Sequence, residues 1–312
     1  MKNKKTISDI IDSARYYSVT DDSLKDEDNV AWIMELQENE IKEWVKVLKW
    51  IRVADRLLER DVFQKSINNF SYTFKDFISD WNKLRATGEI DNNSLFASLF
   101  KELKLRWDKE KLIEENLKIW DLYLDSLVKY VKPNVTIHDM TEYENALYGL
   151  SGTFFQAFPF APNNYMKEIG ILGTIDQFYN NLRDLYEDIT RGICYFPISL
   201  LKEFELHVND MENQIIEPDI QFIRLNEYLL SFFVSKLKTN IAPLLSANGL
   251  HHSWQLLLKN VLSRHSRIEY VFRLCNYNAK QFNVKYWNFV RADLNPDISS
   301  KFLTFKSTFR EF

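Results

Sequence analysis

Seven glycines and seven prolines are all that punctuate 312 residues. Ordinary globular chains carry roughly 7% Gly and 5% Pro, and sheet proteins spend them at every turn. A chain this poor in turn formers can hold few strands. Its apolar residues recur at intervals of three and four over most of the length, which is the period of amphipathic helices. The pattern predicts helices over 6–18, 38–62, 65–86, 94–105, 109–131, 139–157, 164–191, 197–208, 217–240, 251–272, 278–291 and 298–308. Breaks fall at "ATGEIDNNS", "KPNVT", "FPFAPNN", "SANG" and "NPD", all rich in Gly, Pro, Asn and Asp. The fold class that follows is all-α, a single-domain helical bundle. No internal repeat or linker divides it. The helical domain spans 38–312, and 1–37 supplies an N-terminal helix and the acidic stretch "TDDSLKDEDN" at 20–29, read as a solvated loop or a mobile N-terminal segment.

Composition narrows the function. The net charge of −4, with bases scattered among acids, supplies no field that would draw in nucleic acid. Two cysteines, Cys194 and Cys275, make neither a disulfide framework nor a thiolate metal site. No apolar run reaches the ~20 residues that span a bilayer. Aromatic residues make up 15%, which suits a large apolar interior or a greasy pocket.

One helix carries an unusual set of oxygens. In "NNLRDLYEDITRGICYFP", residues 180–197, Asn180, Asp184 and Asp188 are spaced by four. Each step of four advances 40° past a full turn and rises about 6 Å, so the three form one shallow stripe that Gln177 extends. Leu182, Leu185 and Ile189 point elsewhere and can pack. Like charges on one helix face repel, and a divalent cation removes that cost. Mg²⁺ prefers hard oxygens and typically bridges one or two carboxylates to a phosphate. Spacing alone does not mark a site, since Asp121 and Asp125 in "WDLYLDSL" share it.

The flanking residues are more specific. The stretch "LGTIDQFYNNLRDLYEDITRGICYFP", 172–197, resembles the second aspartate-rich signature of the squalene/phytoene synthase family. The matches, in order, are Leu172-Gly173, Gln177, Asn180, Leu182-Arg183-Asp184, Glu187-Asp188, Arg191 and Tyr195-Phe196-Pro197. "YGLSGTFF" at 148–155 is similar to the family's cavity-lining segment. "WVKVLKWIRVADRLLER" at 44–60 is similar to the first aspartate motif, with Arg52 and Asp55 in register. "SLFASLFKEL" at 94–103 and the helix over 109–131 stand where the family has its central helices. The likeness runs over about 40–290.

The resemblance implies a bundle of the isoprenoid synthase type with a central cavity. It implies a prenyltransferase of isoprenoid biosynthesis that ionises farnesyl or geranylgeranyl diphosphate with Mg²⁺ as cofactor. The allylic cation then joins a second prenyl chain or another acceptor. Carried over by position, the metal ligands are Asp55 and Glu59 on one helix and Asn180, Asp184 and Asp188 on the other. Arg52, Arg183, Arg191 and Gln177 are the diphosphate-binding candidates, with pairing to neighbouring acids as the arginines' other role. Tyr195 joins Asp55, Asp184 and Asp188 as a catalytic candidate. Tyr148, Phe154 and Phe155 line the cavity, and Phe158 and Phe160 divide between wall and core. The implied partner is a prenyl diphosphate. The implied location is cytoplasmic, with peripheral membrane contact where a greasy product leaves.

The sequence also departs from the family pattern. Asp55-Arg56-Leu57-Leu58-Glu59 stands where Asp-Asp-x-x-Asp is usual. Arg56 puts a base for an acid, and Glu59 lengthens its arm, which Mg²⁺ geometry tolerates poorly. Ile193 stands at an arginine position, Ala146 at a tyrosine position, and Phe154 and Phe155 replace smaller residues. The helix over 254–272 lacks an expected tyrosine. These changes imply fewer diphosphate contacts and a tighter pocket. The alternative reading is a catalytically degenerate relative that binds lipid or protein.

Overall fold

The three-four spacing becomes helix over most of the described chain, though the helix expected over 197–208 already ends at Glu203. The computed structural model describes residues 22–63, 72–110, 114–293, 297 and 301. The long elements are α1 (Asp22–Val30), α2 (Glu38–Phe63), α3 (Phe74–Thr87), α4 (Ala97–Glu110), α5 (Glu114–Tyr130), α6 (Met140–Leu147), α7 (Met166–Arg183), α8 (Leu185–Thr190), α9 (Ile198–Glu203), α10 (Ile220–Asn240), α11 (His252–Leu274) and α12 (Ala279–Asp293). Among the described residues there is no strand. No described helix is long and apolar enough to cross a membrane. The helix expected over 6–18, most of that over 298–308 and the first residues of that over 65–86 lie outside the described residues.

Helix ends follow local chemistry. α3 begins with a reciprocal capping box between Thr73 and Asp76 and stops at Gly88 in the left-handed region. Asp219 accepts the free N–H groups of Gln221 and Phe222 at the start of α10.

The core is aromatic on both sides of α2. Trp50 meets Trp120, Phe77 and Trp81 at ring-centroid distances of 4.4, 5.4 and 5.5 Å. Two turns earlier Trp44 meets Trp32 and Phe158, each at 4.9 Å. Such pairs add about 0.5–1.5 kcal/mol each beyond the area they bury.

Three expectations are corrected. Over its described residues, 22–29, the acidic stretch is not a solvated loop: α1 runs through them, with Leu24, Glu27 and Asp28 buried. Its burial is largely ionic. Asp28 pairs with Arg267 and accepts the Tyr286 hydroxyl at 2.6 Å. The helix over 139–157 is interrupted by a π turn, Tyr148–Gly152, followed by a short helix, Thr153–Gln156. This segment crosses α7 backbone to backbone. A Cβ on Gly173 would sit 2.8 Å from the Gly152 Cα, and one on Gly149 only 2.0 Å from the Ser126 Oγ. The helix over 164–191 breaks at Asp184, which has φ −95° and ψ 4°. Arg183 grips its carboxylate through Nε at 3.0 Å and Nη2 at 2.8 Å. Successive side chains on a regular helix do not face each other, so this two-pronged pair and the break go together.

Candidate active site

α2, α5, α7, α8, α11, the π-turn segment and the chain from α1 to α2 enclose one cavity of about 420 Å³. That lies within the ~300–1,000 Å³ usual for small-molecule sites. One part of its wall is acidic and basic, the other hydrocarbon. α2 contributes Arg52, Asp55 and Glu59; α7 and α8 contribute Gln177, Asn180, Arg183, Asp184 and Asp188. Trp32, Trp44, Leu150, Phe154, Phe155 and Phe158 form an apolar wall. Phe154, Phe155 and Phe158 pack on one another at 4.9–5.6 Å.

The oxygen stripe survives the break at Asp184. The Asp184 N–H still donates to the Asn180 carbonyl and the Asp188 N–H to the Asp184 carbonyl, both at 2.9 Å. Its members have unlike surroundings. Lys25 of α1 reaches Asp184 at 3.2 Å and Glu187 at 2.6 Å. Burial works against ionisation of Asp184, but Arg183 and Lys25 outweigh it and hold the carboxyl well below the usual range. Asp188 is pushed the other way: burial, then the charges of Asp184 and Glu187, raise it well above that range. Asn180 Oδ1 is buried with no hydrogen-bond partner, a costly state for an amide oxygen.

The α2 side is arranged differently. Tyr123 of α5 donates to Asp55 at 2.5 Å. Burial nonetheless pushes the Asp55 carboxyl up to about 6, against that hydrogen bond. Arg56 faces inward along its own helix and pairs with Glu59 at 2.9 Å. Arg52 pairs with Asp26 of α1 at 2.8 Å. Tyr195 lines the cavity, and its hydroxyl donates to the Tyr130 carbonyl at 3.4 Å. Burial first, then the charges of Asp188 and Glu59, keep that phenol neutral. Asp55 also acts on Tyr195, so both acidic walls bear on one hydroxyl.

Three expected residues lie outside the cavity lining. Phe160 is exposed and stacks on the His251 ring at 4.1 Å, in neither wall nor core. Tyr148 does not face the cavity either. A Cβ on Gly152 would lie 2.5 Å from the Tyr148 ring and one on Gly170 2.9 Å, so the ring is wedged between those glycines. Its hydroxyl donates to Gln156 at 2.9 Å. Arg191 pairs with Glu187 at 2.6 Å. Asp121 binds Arg85 and Trp81, and Asp125 is exposed, so the repeated spacing on α5 is unrelated to the site.

Sequence reasoning missed Lys25, Asp26 and Asn29 of α1, Tyr123, and a buried network on α7 and α11. In that network Asp176 pairs with Arg264, accepts from His265 Nε2 at 2.8 Å and from Asn180 Nδ2 at 3.1 Å. Arg264 and His265, outweighing burial, hold Asp176 well below the carboxylate range. Asp176 stands one four-residue step before Asn180, and that spacing is the signal that could have found it.

The same arrangement of helices occurs in solved structures. A dehydrosqualene synthase in complex with ligand superimposes with a TM-score of 0.64 at 14% identity, over 92% of this chain and 95% of that one. This is the fold of the squalene and dehydrosqualene synthases. The squalene synthase HpnC from Alicyclobacillus acidocaldarius has it too, with a TM-score of 0.57 at 11% identity, over 83% of this chain and 97% of its own. No protein-family profile matches the sequence, and no curated protein sequence matches it. The synthase fold is thus carried by a sequence far from both.

Proposed function

We propose that this chain is a Mg²⁺-dependent prenyltransferase that ionises an allylic prenyl diphosphate, farnesyl or geranylgeranyl, and passes the cation to a second prenyl chain or another acceptor. The observation that carries the reading is the shared cavity: acids of α2 and of α7–α8 line one hollow whose remaining wall is aromatic. A diphosphate and a hydrocarbon tail ask for those two surfaces in one place.

The donor set fits a hard divalent cation. Asp188 is a half-buried carboxyl whose ionisation is opposed by desolvation and by the charges of Asp184 and Glu187, and Asn180 Oδ1 lacks a partner. Asp55 lines the same cavity, with its pKa raised to about 6. A cation at this place relieves all three. Among the described residues no three His, Cys, Asp or Glu side chains form a ready-made ion site, so water and phosphate oxygens would complete the shell, as is usual for Mg²⁺. When bound, Mg²⁺ supplies Lewis-acid neutralisation of the leaving diphosphate.

The chain's own groups do the rest. Arg52 and Arg183 present guanidinium forks suited to phosphate oxygens. Each would exchange its present partner, Asp26 or Asn29, for substrate. Phe154, Phe155, Phe158 and Trp44 exclude water from the allylic carbons. The neutral Tyr195 hydroxyl, which now donates to the Tyr130 carbonyl at 3.4 Å, would turn to donate to substrate oxygens.

The test is release of inorganic diphosphate from farnesyl or geranylgeranyl diphosphate with Mg²⁺. Release by the wild type and its loss in D188N support the reading; no release, with no binding of diphosphate, contradicts it. The second reading, a non-catalytic relative that binds lipid or protein, has one observation in its favour. Arg56, Arg52 and Asp184 already hold internal partners.

A further inference from the structure

Two acids one helical turn apart face the same cavity, and the fold treats them differently. Asp184 has an ammonium 3.2 Å from its Oδ1 and a guanidinium 2.8 Å from its Oδ2. Among the described residues no ammonium or guanidinium stands within ion-pairing distance of Asp188. We propose that Lys25 is a resident cation of this site, holding the position at Asp184 that a divalent ion would otherwise take, so that metal binding on this wall falls to Asp188 and Asn180. The inference rests on the ion-dependent reading above.

Lys25 is not a loose surface side chain. Its exposure is 14%, and it spans Asp184 and Glu187 at once. The helix that carries it is tied down elsewhere. Asp28 binds Arg267 and the Tyr286 hydroxyl, Asn29 accepts from Arg183 at 2.8 Å, and Leu24 is buried. A lysine stem and ammonium are removed from water only where acids compensate them. An ion on Asp184 Oδ1 would confront that ammonium at close range, where like charges repel strongly in a low-dielectric setting. The two cations are therefore exclusive at this oxygen, and the fixed one is covalently supplied.

The charges agree. Asp184, Glu187 and Asp188 on α7–α8 are met by Lys25, Arg183 and Arg191. A wall so balanced has room for a divalent ion only where the internal cations do not reach, and that is Asp188 with the unpartnered Asn180 Oδ1. No feature of the 172–197 motif encodes this division; it depends on a helix from the other end of the chain.

The experiment counts Mn²⁺ by electron paramagnetic resonance in the presence of inorganic diphosphate, for the wild type, K25M and K25R. Circular dichroism checks that each is folded. We expect K25M to bind one Mn²⁺ more per chain than the wild type, K25R to match the wild type, and D184N in the K25M background to lose the added ion. Equal counts in wild type and K25M overturn the inference alone. No ion in any protein overturns it together with the functional reading. Lysine acylation of the wild-type chain gives a second readout. Lys25 stays protected with and without Mn²⁺ and diphosphate; its exposure on adding the ion overturns the proposal.

Discussion

The two acidic walls of the cavity hold their carboxylates by different means. For Asp184 and Asp176 on α7–α8 the means is charge: Lys25 and Arg183 flank Asp184, and Arg264 pairs with Asp176, which also accepts a hydrogen bond from His265. On α2 the means is a neutral hydrogen bond: the Tyr123 phenol holds Asp55. The outcomes differ in sign. Cations overcome burial and keep Asp184 and Asp176 ionised, whereas a phenol does not, and Asp55 rises to about 6. Asp184 and Asp176 stay charged far into acid and Asp55 gains its charge near pH 6, while burial and the charges of Asp184 and Glu187 hold Asp188 well above the usual carboxylate range. Burial cost is set by the partner's charge more than by the number of hydrogen bonds.

The comparison can be broken most forcefully at Asp176. D176L leaves Arg264 buried without its counter-charge, and removing one partner of a buried pair costs about 3–5 kcal/mol. Urea unfolding should show a loss of that size, and a change below about 1 kcal/mol would mean the charge network is not what holds α7 to α11. D188N comes next. Loss of the uncompensated carboxylate should lower diphosphate release by roughly 10²–10³-fold, the range for removing a group aimed at developing charge. D121N, which shares the spacing but not the cavity, should leave the rate unchanged.

The pH dependence sharpens the contrast. The folded Asp55 pKa lies above its unfolded value of 3.8, at about 6. Between those values the folded chain holds a proton that the unfolded chain has lost. Stability of the ion-free protein should therefore fall as pH rises through this window, by at most about 3 kcal/mol. Asp184 and Asp176 act oppositely. Their stabilisation is present above the unfolded carboxylate range and is lost only as pH falls through their depressed pKa values. Thermal melts from pH 3 to 8 should show a maximum on the acid side of neutrality, and Mg²⁺ should flatten the decline above it. A profile that rises steadily to pH 8 without Mg²⁺ contradicts the assignment. The smallest effect belongs to Y123F, which removes one hydrogen bond at about 1 kcal/mol. It should move the decline in stability to higher pH, because Asp55 loses the donor that favours its charge.

The long helices were legible because each buries one stripe against its neighbours. α2, α7, α10 and α11 all show the three-four period, and the walls of the cavity are built from them. The Asn180, Asp184, Asp188 stripe was legible for the same reason, since a step of four keeps one face. α1 was not. Its sequence lacks an apolar period, and its burial depends on Arg52, Arg183 and Arg267, bases far along the chain. Ionic complementarity across such distances leaves no mark in a local window. Tyr123 was hidden in a segment whose acids face elsewhere. Tyr148 was misplaced because the glycines that make room for its ring lie partly on another helix, at Gly170. Departures at Arg56 and Glu59 were visible, but not that the two pair with each other.

The most direct test is a crystal of the wild-type chain with Mn²⁺ and inorganic diphosphate, read by anomalous scattering. A manganese peak is expected in the cavity, liganded by Asp188 and by diphosphate oxygens, on the side facing Asp55. A cavity free of manganese, or a peak bound only by surface carboxylates, would contradict this expectation.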